Sequence, residues 1–423
     1  LGSFAVALQM CSAGPLSLLR YALSVLFGLA RPVPGGIRRV SGLRVPAGIG
    51  GAHLSTVAYV RDGGPAPSLL IRTPYGKHII ELLGYTVASQ GFNVIIQDCR
   101  GRYDSTGEQT FASFEDVDGV ATLDWFLKQG FEWYDPTRIV MFGISYLGIV
   151  QWAMAAGLAR RRAAAAICEN SVEGSKDSRL LAIAPLFAAS RTYDVFISGG
   201  TFRVDFFIRY VHFMLNINSR ASQARLLYTL LKFELSYRYH MRRCSSLKAL
   251  LPKLGVPRLF KYNPRRESRF WKNRDYSDGI DCSPPAFIAT GWYDIMLDSS
   301  LRDYSAIQQV HGTGHSRLVV GPWHHLESIT NFFAFRMLLR SSIDFLREKA
   351  GLTDPAARTE RLPVRIWVMG SRSSKGEWQD FSAWPPQESR DEVLFLGPRR
   401  LLSDDQAGAC LAAGESKKRE AST

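Results

Sequence analysis

A short apolar strand that runs straight into a serine-bearing turn and then a helix leaves few folds open to this chain. Arg138-Ile-Val-Met-Phe142 is apolar and β-branched, Gly143-Ile-Ser145-Tyr146-Leu-Gly148 has turn character, and Ile149 to Ala159 is alanine-rich and helix-prone. Such a unit fits a parallel sheet, and a serine at its turn is lifted clear of the sheet's C-terminal edge. There the hydroxyl projects, and the next amide points at a reacting carbonyl oxygen. Ser145 is therefore the candidate nucleophile and the Tyr146 amide a candidate oxyanion donor. The usual pattern places a second glycine two residues after the serine, whereas this chain has Leu147 there and Gly148 one position later. A glycine-flanked serine on its own is mostly a turn, so its partners must be found elsewhere in the sequence.

The surrounding pattern supports an α/β class. His53 to Val60, Ser68 to Arg72 and Phe92 to Gln97 read as strands, with helices expected at Ile79 to Gln90 and Asp116 to Lys128. Ala163 to Cys168 reads as the next strand, and Ala286 to Thr290 and Arg317 to Val320 resume the series. Strands alternating with helices at these intervals indicate a mostly parallel sheet covered on both faces. Between Ser171 and Ser283 the strand pattern stops, and helical runs such as Phe202 to Leu215 and Gln223 to Tyr237 suggest an inserted helical cap. The glycine- and proline-rich Arg31 to Gly51 reads as linker, and Pro15 to Ala30 as an amphipathic helix or the remnant of an export signal. Val364 to Met369 and Glu392 to Leu396 read as strands of a separate β unit, followed by a polar tail.

Two further sites complete a hydrolytic constellation. The strand Ala286 to Thr290 ends in Gly291-Trp292-Tyr293-Asp294, and Arg317 to Val320 ends in Gly321-Pro322-Trp323-His324-His325. The chain order Ser, Asp, His is that of α/β-hydrolases, and each residue lies just past a parallel strand, on the edge where open α/β sheets bind ligands. Serine is a poor nucleophile at neutral pH, so a histidine must take its proton, and an aspartate must hold that histidine's tautomer. Periodicity alone does not choose between His324 and His325. Tyr75, in the loop Arg72 to Lys77, is a second candidate oxyanion donor through its phenol; the bland alternative is a turn with a packing aromatic. Asp98 and Arg100 read as a structural ion pair. A metal site from Asp98, Asp104 and Glu108 fits no calcium loop, so neither metal nor cofactor is expected. Trp292 and Met296, flanking the acid, are candidate substrate contacts, although such residues are more often core, as are the cap aromatics Tyr193, Phe196 and Phe202.

Charge and cysteine usage narrow the class. The net charge of +14 arises from arginines and lysines spread along the 423 residues, without a nucleic-acid motif, so a solvated basic surface is expected rather than a nucleic-acid partner. The six cysteines show neither C-x-x-C pairs nor metal-ligand spacing, and fit a reducing, cytoplasmic compartment. No stretch reaches the length of a membrane span. Because the chain does not begin with methionine, an upstream start and export stay open, as does a homodimer.

Taken together, R-T-P-Y-G-K at Arg72 to Lys77, Q-D-C-R-G-R at Gln97 to Arg102 with S-T-G-E at Ser105 to Glu108, G-I-S-Y-L-G at Gly143 to Gly148, F-W-K-N-R-D-Y-S at Phe270 to Ser277, G-W-Y-D at Gly291 to Asp294 and G-P-W-H-H at Gly321 to His325 resemble the cocaine-esterase-like (CocE/NonD) branch of the X-Pro dipeptidyl-peptidase family. The resemblance covers roughly Leu54 to Met369, and the displaced glycine after the serine is a trait of the family. It implies an α/β-hydrolase domain in two parts (51–170 and 284–355), a helical cap (171–283) and a C-terminal jelly roll. Of that jelly roll only the start (360–400) resembles the family; residues 1–50 form an extension and 401–423 a tail. It further implies Ser145 as nucleophile, Asp294 as acid, His325 rather than His324 as base, and the Tyr146 amide and Tyr75 hydroxyl as oxyanion donors.

The expected activity is a serine hydrolase acting on small carboxylic esters or amides through an acyl-enzyme. X-Pro peptidase, α-amino-acid ester hydrolase and acylase are the neighbouring alternatives, and a catalytically impaired binding protein is the alternative of another class. An amino-terminal substrate would call for a carboxylate cluster, for which Glu169, Glu173, Asp177 and Asp194 are candidates.

Overall fold

The computed structural model describes residues 15–109, 111–167, 179–218, 221, 225–243, 253, 265–354, 361–370, 375–390, 394–396 and 401–403. In chain order its strands are β1 (Ile37–Pro46), β2 (His53–Arg61), β3 (Ala66–Thr73), β4 (Asn93–Asp98), β5 (Tyr134–Ile144), β6 (Leu180–Leu186), β7 (Ile197–Ser198), β8 (Thr201–Phe202), β9 (Phe287–Tyr293), β10 (Arg317–His324), β11 (Val364–Val368), β12 (Glu377–Phe381), β13 (Leu394–Leu396) and β14 (Leu401–Ser403). Ten of them form one sheet in the order β1-β2-β4-β3-β5-β6-β9-β10-β11-β12. From β4 through β11 every neighbouring pair is parallel, while β1, β2 and β12 run antiparallel at the two ends. This is an α/β fold with a large, mostly parallel sheet.

The central strands explain the run-like hydrophobic pattern. Every residue of β4 is buried, and β3 is buried after its first residue, because helices cover both faces of a parallel sheet. Leu69, Ile71, Val94 and Ile96 pack in one cluster with Phe345 and Leu346 of the helix Phe332–Lys349. Full burial of each such side chain contributes about 1.5–3 kcal/mol. The helix Pro15–Phe27 packs on that same helix, with the Phe27 and Phe335 rings edge to face at 5.9 Å. No helix among the described residues is long and apolar enough to cross a membrane.

Three sequence expectations need correction. The span Arg31 to Gly51 is not linker throughout, since Ile37–Pro46 pairs with β2 as an edge strand, where glycine, proline and basic residues are tolerated. Ala163 to Ile167 does not form a strand but continues the helix Tyr146–Ile167; alanine favours helix over strand, and Cys168 lies outside the described residues. The sheet strand is instead Leu180–Leu186, inside the span expected as cap. Val364–Val368 does not begin a separate β unit, for it pairs in parallel with β10 and antiparallel with β12.

The chain divides into units of residues 1–381 and 382–423. Within the second, the described strands are β13 and β14, an antiparallel ribbon, and the tail beyond Ser403 lies outside the described residues. The helices Val204–Asn216 and Leu226–Met241 stand where cap helices are expected.

Candidate active site

Ser145 directly follows β5 and opens the helix Tyr146–Ile167, so the strand–turn–helix reading of the sequence describes the local backbone. Its φ is +62°, a left-handed conformation that costs a non-glycine residue energy and is found at such elbows. The turn is tied down by the Ser145 N–H, which donates to the Leu186 carbonyl on β6 at 2.8 Å. A Cβ added at Gly143 would lie 2.3 Å from that of Leu147, and one at Gly148 would lie 2.4 Å from that of Ala188. The close approaches therefore fall at positions 143 and 148, and Leu147 is accommodated where a glycine is usual.

Strand register brings the other two residues to Ser145. In the parallel pair β9–β10, Gly291 faces Gly321 and Tyr293 faces His324, so Asp294 and His325 each come one residue beyond the last pair. A Cβ on Gly291 would come within 2.1 Å of the Trp323 carbonyl oxygen, which is why the two strands can converge here. His325 Nδ1 lies 2.8 Å from Asp294 Oδ1, and His325 Nε2 lies 2.9 Å from Ser145 Oγ. The Asp294 side chain is fully buried, and its Oδ2 accepts a hydrogen bond from Thr290 Oγ1 at 2.8 Å. Ser328 Oγ donates to the His325 carbonyl at 2.7 Å, and the edge of the imidazole meets Phe187. The neighbouring His324 turns outward; its side chain is 55% exposed and lies 3.7 Å from Glu327.

Two candidate oxyanion donors adjoin Ser145 in sequence or in space. Tyr146, the first residue of its helix, has an N–H without an acceptor inside the helix, at the helix's positive end. The Tyr75 phenol hydrogen-bonds with the side chains of Ser145 and Tyr210. Burial pushes the Tyr75 pKa up, and those two hydrogen bonds oppose the rise.

The sequence reading missed what holds Tyr146. Its hydroxyl donates to Glu115 Oε1 at 2.8 Å and accepts the Ala112 N–H at 2.8 Å. Glu115 in turn pairs with the fully buried Arg72 at 2.9 Å, and Arg72 also donates to Gln97 Oε1 and the Glu115 carbonyl. Burial raises the pKa of Glu115, and the Arg72 charge opposes the rise. The only signal available was a glutamate at the head of a helix, which names no distant partner.

The remaining candidates have other settings. Asp98 pairs with Lys77 at 2.9 Å rather than with Arg100, and Arg100 pairs with Asp118, correcting the expected Asp98–Arg100 pair. The Lys77 ammonium reaches Asp104 as well, at 2.6 Å, and a lysine satisfies two carboxylates that charge alone cannot assign from sequence. Among the described residues no group of His, Cys, Asp and Glu is arranged to hold a metal ion. Met296 is buried in a hydrophobic cluster with Phe196, Phe207 and Trp271, while the Trp292 indole donates to the Trp367 carbonyl at 2.6 Å. Asp194 pairs with Arg302 at 2.7 Å, whereas Glu169, Glu173 and Asp177 lie outside the described residues.

Residues 51–327 match the X-Pro dipeptidyl-peptidase (S15 family). The chain is 27% identical over 407 residues to cocaine esterase of Rhodococcus sp. (strain MB1 Bresler), covering 88% of this chain and 65% of that protein. Its fold is similar to an aminopeptidase from the marine sediment archaeon Thaumarchaeota archaeon (TM-score 0.60, 16% identity, 87% of this chain and 62% of that one). It is likewise similar to an α-amino acid ester hydrolase (TM-score 0.59, 18% identity, 84% and 60%) and to a CocE/NonD family hydrolase from Staphylococcus aureus (TM-score 0.58, 16% identity, 88% and 64%). The chain thus spans just under two thirds of the length of these relatives.

Proposed function

From membership of the X-Pro dipeptidyl-peptidase (S15) family, to which the chain belongs through residues 51–327, we propose that it is a serine hydrolase that cleaves carboxylic esters through an acyl-enzyme intermediate. The observation that carries this reading is the relay from Ser145 Oγ to His325 Nε2 at 2.9 Å and from His325 Nδ1 to Asp294 at 2.8 Å. His325 takes the Ser145 proton as Oγ attacks the ester carbonyl, and Asp294 stabilises the imidazolium that results. The Tyr146 N–H and the Tyr75 hydroxyl hold the tetrahedral oxyanion. Collapse breaks the bond to the alcohol, which leaves with the proton from His325. Water then enters, gives its proton to His325, and releases the acid and the free serine.

An ester with a neutral acyl group is favoured over an amino-terminal substrate. A substrate ammonium needs an uncommitted carboxylate near the nucleophile, and Asp194, the one candidate among the described residues, is already paired with Arg302. The likeness to cocaine esterase points the same way.

The test is turnover of p-nitrophenyl acetate and butyrate together with labelling by a fluorophosphonate probe, in wild type, Ser145→Ala, His325→Ala and His324→Ala. The reading expects turnover and labelling to vanish in Ser145→Ala, and turnover to vanish in His325→Ala but not in His324→Ala. Folded wild-type protein that neither turns over nor labels would leave the binding-protein alternative standing.

A further inference from the structure

A cavity of about 440 Å³ opens between Glu108, Gln109 and the stretch from Phe111 to Phe114, the helix Val204–Asn216 and the segment from Arg269 to Arg274. Ser145, Asp294 and His325 are not among its lining residues. Its volume falls in the roughly 300–1,000 Å³ range of small-molecule sites. Phe111, Phe114, Val211, Met214 and Phe270 give it apolar walls, and Tyr210 adds a phenol.

One wall is held in a costly conformation. Phe111 and Ala112 have φ values of +40° and +56°, consecutive left-handed positions without glycine. Three side chains clamp them: the Ala112 N–H donates to the Tyr146 hydroxyl, Tyr276 donates to the Ala112 carbonyl, and Arg274 donates to the Phe111 carbonyl at 2.7 Å and to the adjacent Ser113 Oγ at 3.0 Å. So fixed, the Phe111 ring stands edge-on to Phe196 and Tyr210, at 5.5 and 5.7 Å. A gap left by loose packing needs no such scaffold.

The charge of the lining has a sign. Among the described lining residues Arg274 is buried and Arg269 exposed, against a single exposed carboxylate, Glu108. Burial lowers the Arg274 pKa to about 10, which leaves it cationic at neutral pH in a poorly solvated place.

We propose that this cavity is a second binding site, separate from the reaction centre, for a small carboxylic acid with an aryl or medium-chain alkyl body. The apolar body lies against Phe111, Met214 and Phe270, and the carboxylate faces Arg269, with Arg274, whose guanidinium nitrogens already donate to Phe111, Phe270 and Ser113, adding positive charge nearby. Acids of this class are what cleavage of the corresponding esters would release, a link that rests on the ester-hydrolase reading. Tyr210 lines the cavity and hydrogen-bonds with Tyr75, so an occupant sits one side chain from the proposed oxyanion donor.

The test is calorimetric titration of the full chain with 4-phenylbutyrate, before and after treatment with a small fluorophosphonate. Single-site binding is expected, changed less than about threefold by the treatment and weakened at least about tenfold in Met214→Trp, in Arg269→Glu and with 4-phenylbutanol as ligand. Absence of saturable binding, loss of binding once Ser145 is blocked, or unchanged affinity in folded Met214→Trp and Arg269→Glu overturns the proposal, as does equal affinity for the alcohol. Should Met214→Trp not fold, the exposed Arg269→Glu decides. Failure of the probe to label Ser145 counts against the hydrolase reading alone, because the acid titration is still read.

Discussion

The constellation of Ser145, His325 and Asp294 and the cap-facing cavity meet at the Tyr75–Tyr210 hydrogen bond, yet they are assembled by different means. The first is delivered by backbone: β5, β9 and β10 end at one edge of a parallel sheet, and register sets which residue comes next. The second is delivered by side chains, with Tyr146, Tyr276 and Arg274 holding a loop in a conformation it would not adopt alone. A site hung from strand ends should tolerate changes around it and fail only when its own reacting groups go. A site hung from a clamp should fail when a distant partner is removed.

The sharpest division comes from Ser145→Ala and His325→Ala, which should each lower kcat for p-nitrophenyl butyrate by about 10⁴-fold or more while leaving the melting temperature close to wild type. On the clamp side, Glu115→Leu strands the buried Arg72 and frees the Tyr146 hydroxyl, at a loss of about 3–5 kcal/mol in urea unfolding. Wild-type stability in that variant would break the comparison. Tyr75→Phe removes one proposed oxyanion donor and should reduce kcat by about 10²–10³-fold with a much smaller change in KM, as steady-state kinetics would show.

Asp303 extends the comparison to pH. Its buried carboxyl accepts the Ser190 N–H and hydroxyl, and burial pushes its pKa up to about 6. The folded state therefore favours the protonated form, a contribution present below the unfolded value near 3.8 and lost as pH rises through about 6. Wild-type stability relative to Asp303→Asn should fall by about 2 kcal/mol between pH 4 and 6, measured by urea unfolding at each pH. The smallest effect belongs to the solvent-facing ring beside His325, since His324→Ala should change kcat/KM by less than about twofold.

What could be read from the sequence follows the same division. Strands such as β3, β4 and β5 are apolar runs ended by turn residues, and the order of serine, aspartate and histidine after three such runs places them at one sheet edge. β6 was not legible because Leu180-Leu-Ala-Ile-Ala-Pro-Leu186 carries two alanines and a proline, all weak strand signals. Propensity also names no pairing partner, so Val364–Val368 was recognised as a strand but assigned to the wrong sheet. The link from Arg72 through Glu115 and Tyr146 to Ala112 joins residues far apart in sequence, and no spacing rule reports it.

The left-handed backbone at Ser145 bears on how such a chain drifts. A serine held at φ +62° costs on the order of 1–3 kcal/mol that glycine would not. Glycine at this position would thus make the protein sturdier and leave it without its proposed nucleophile, so stability alone pulls the residue away from serine. A lineage that no longer used the hydroxyl would have a downhill route out of serine, and this chain has not taken it.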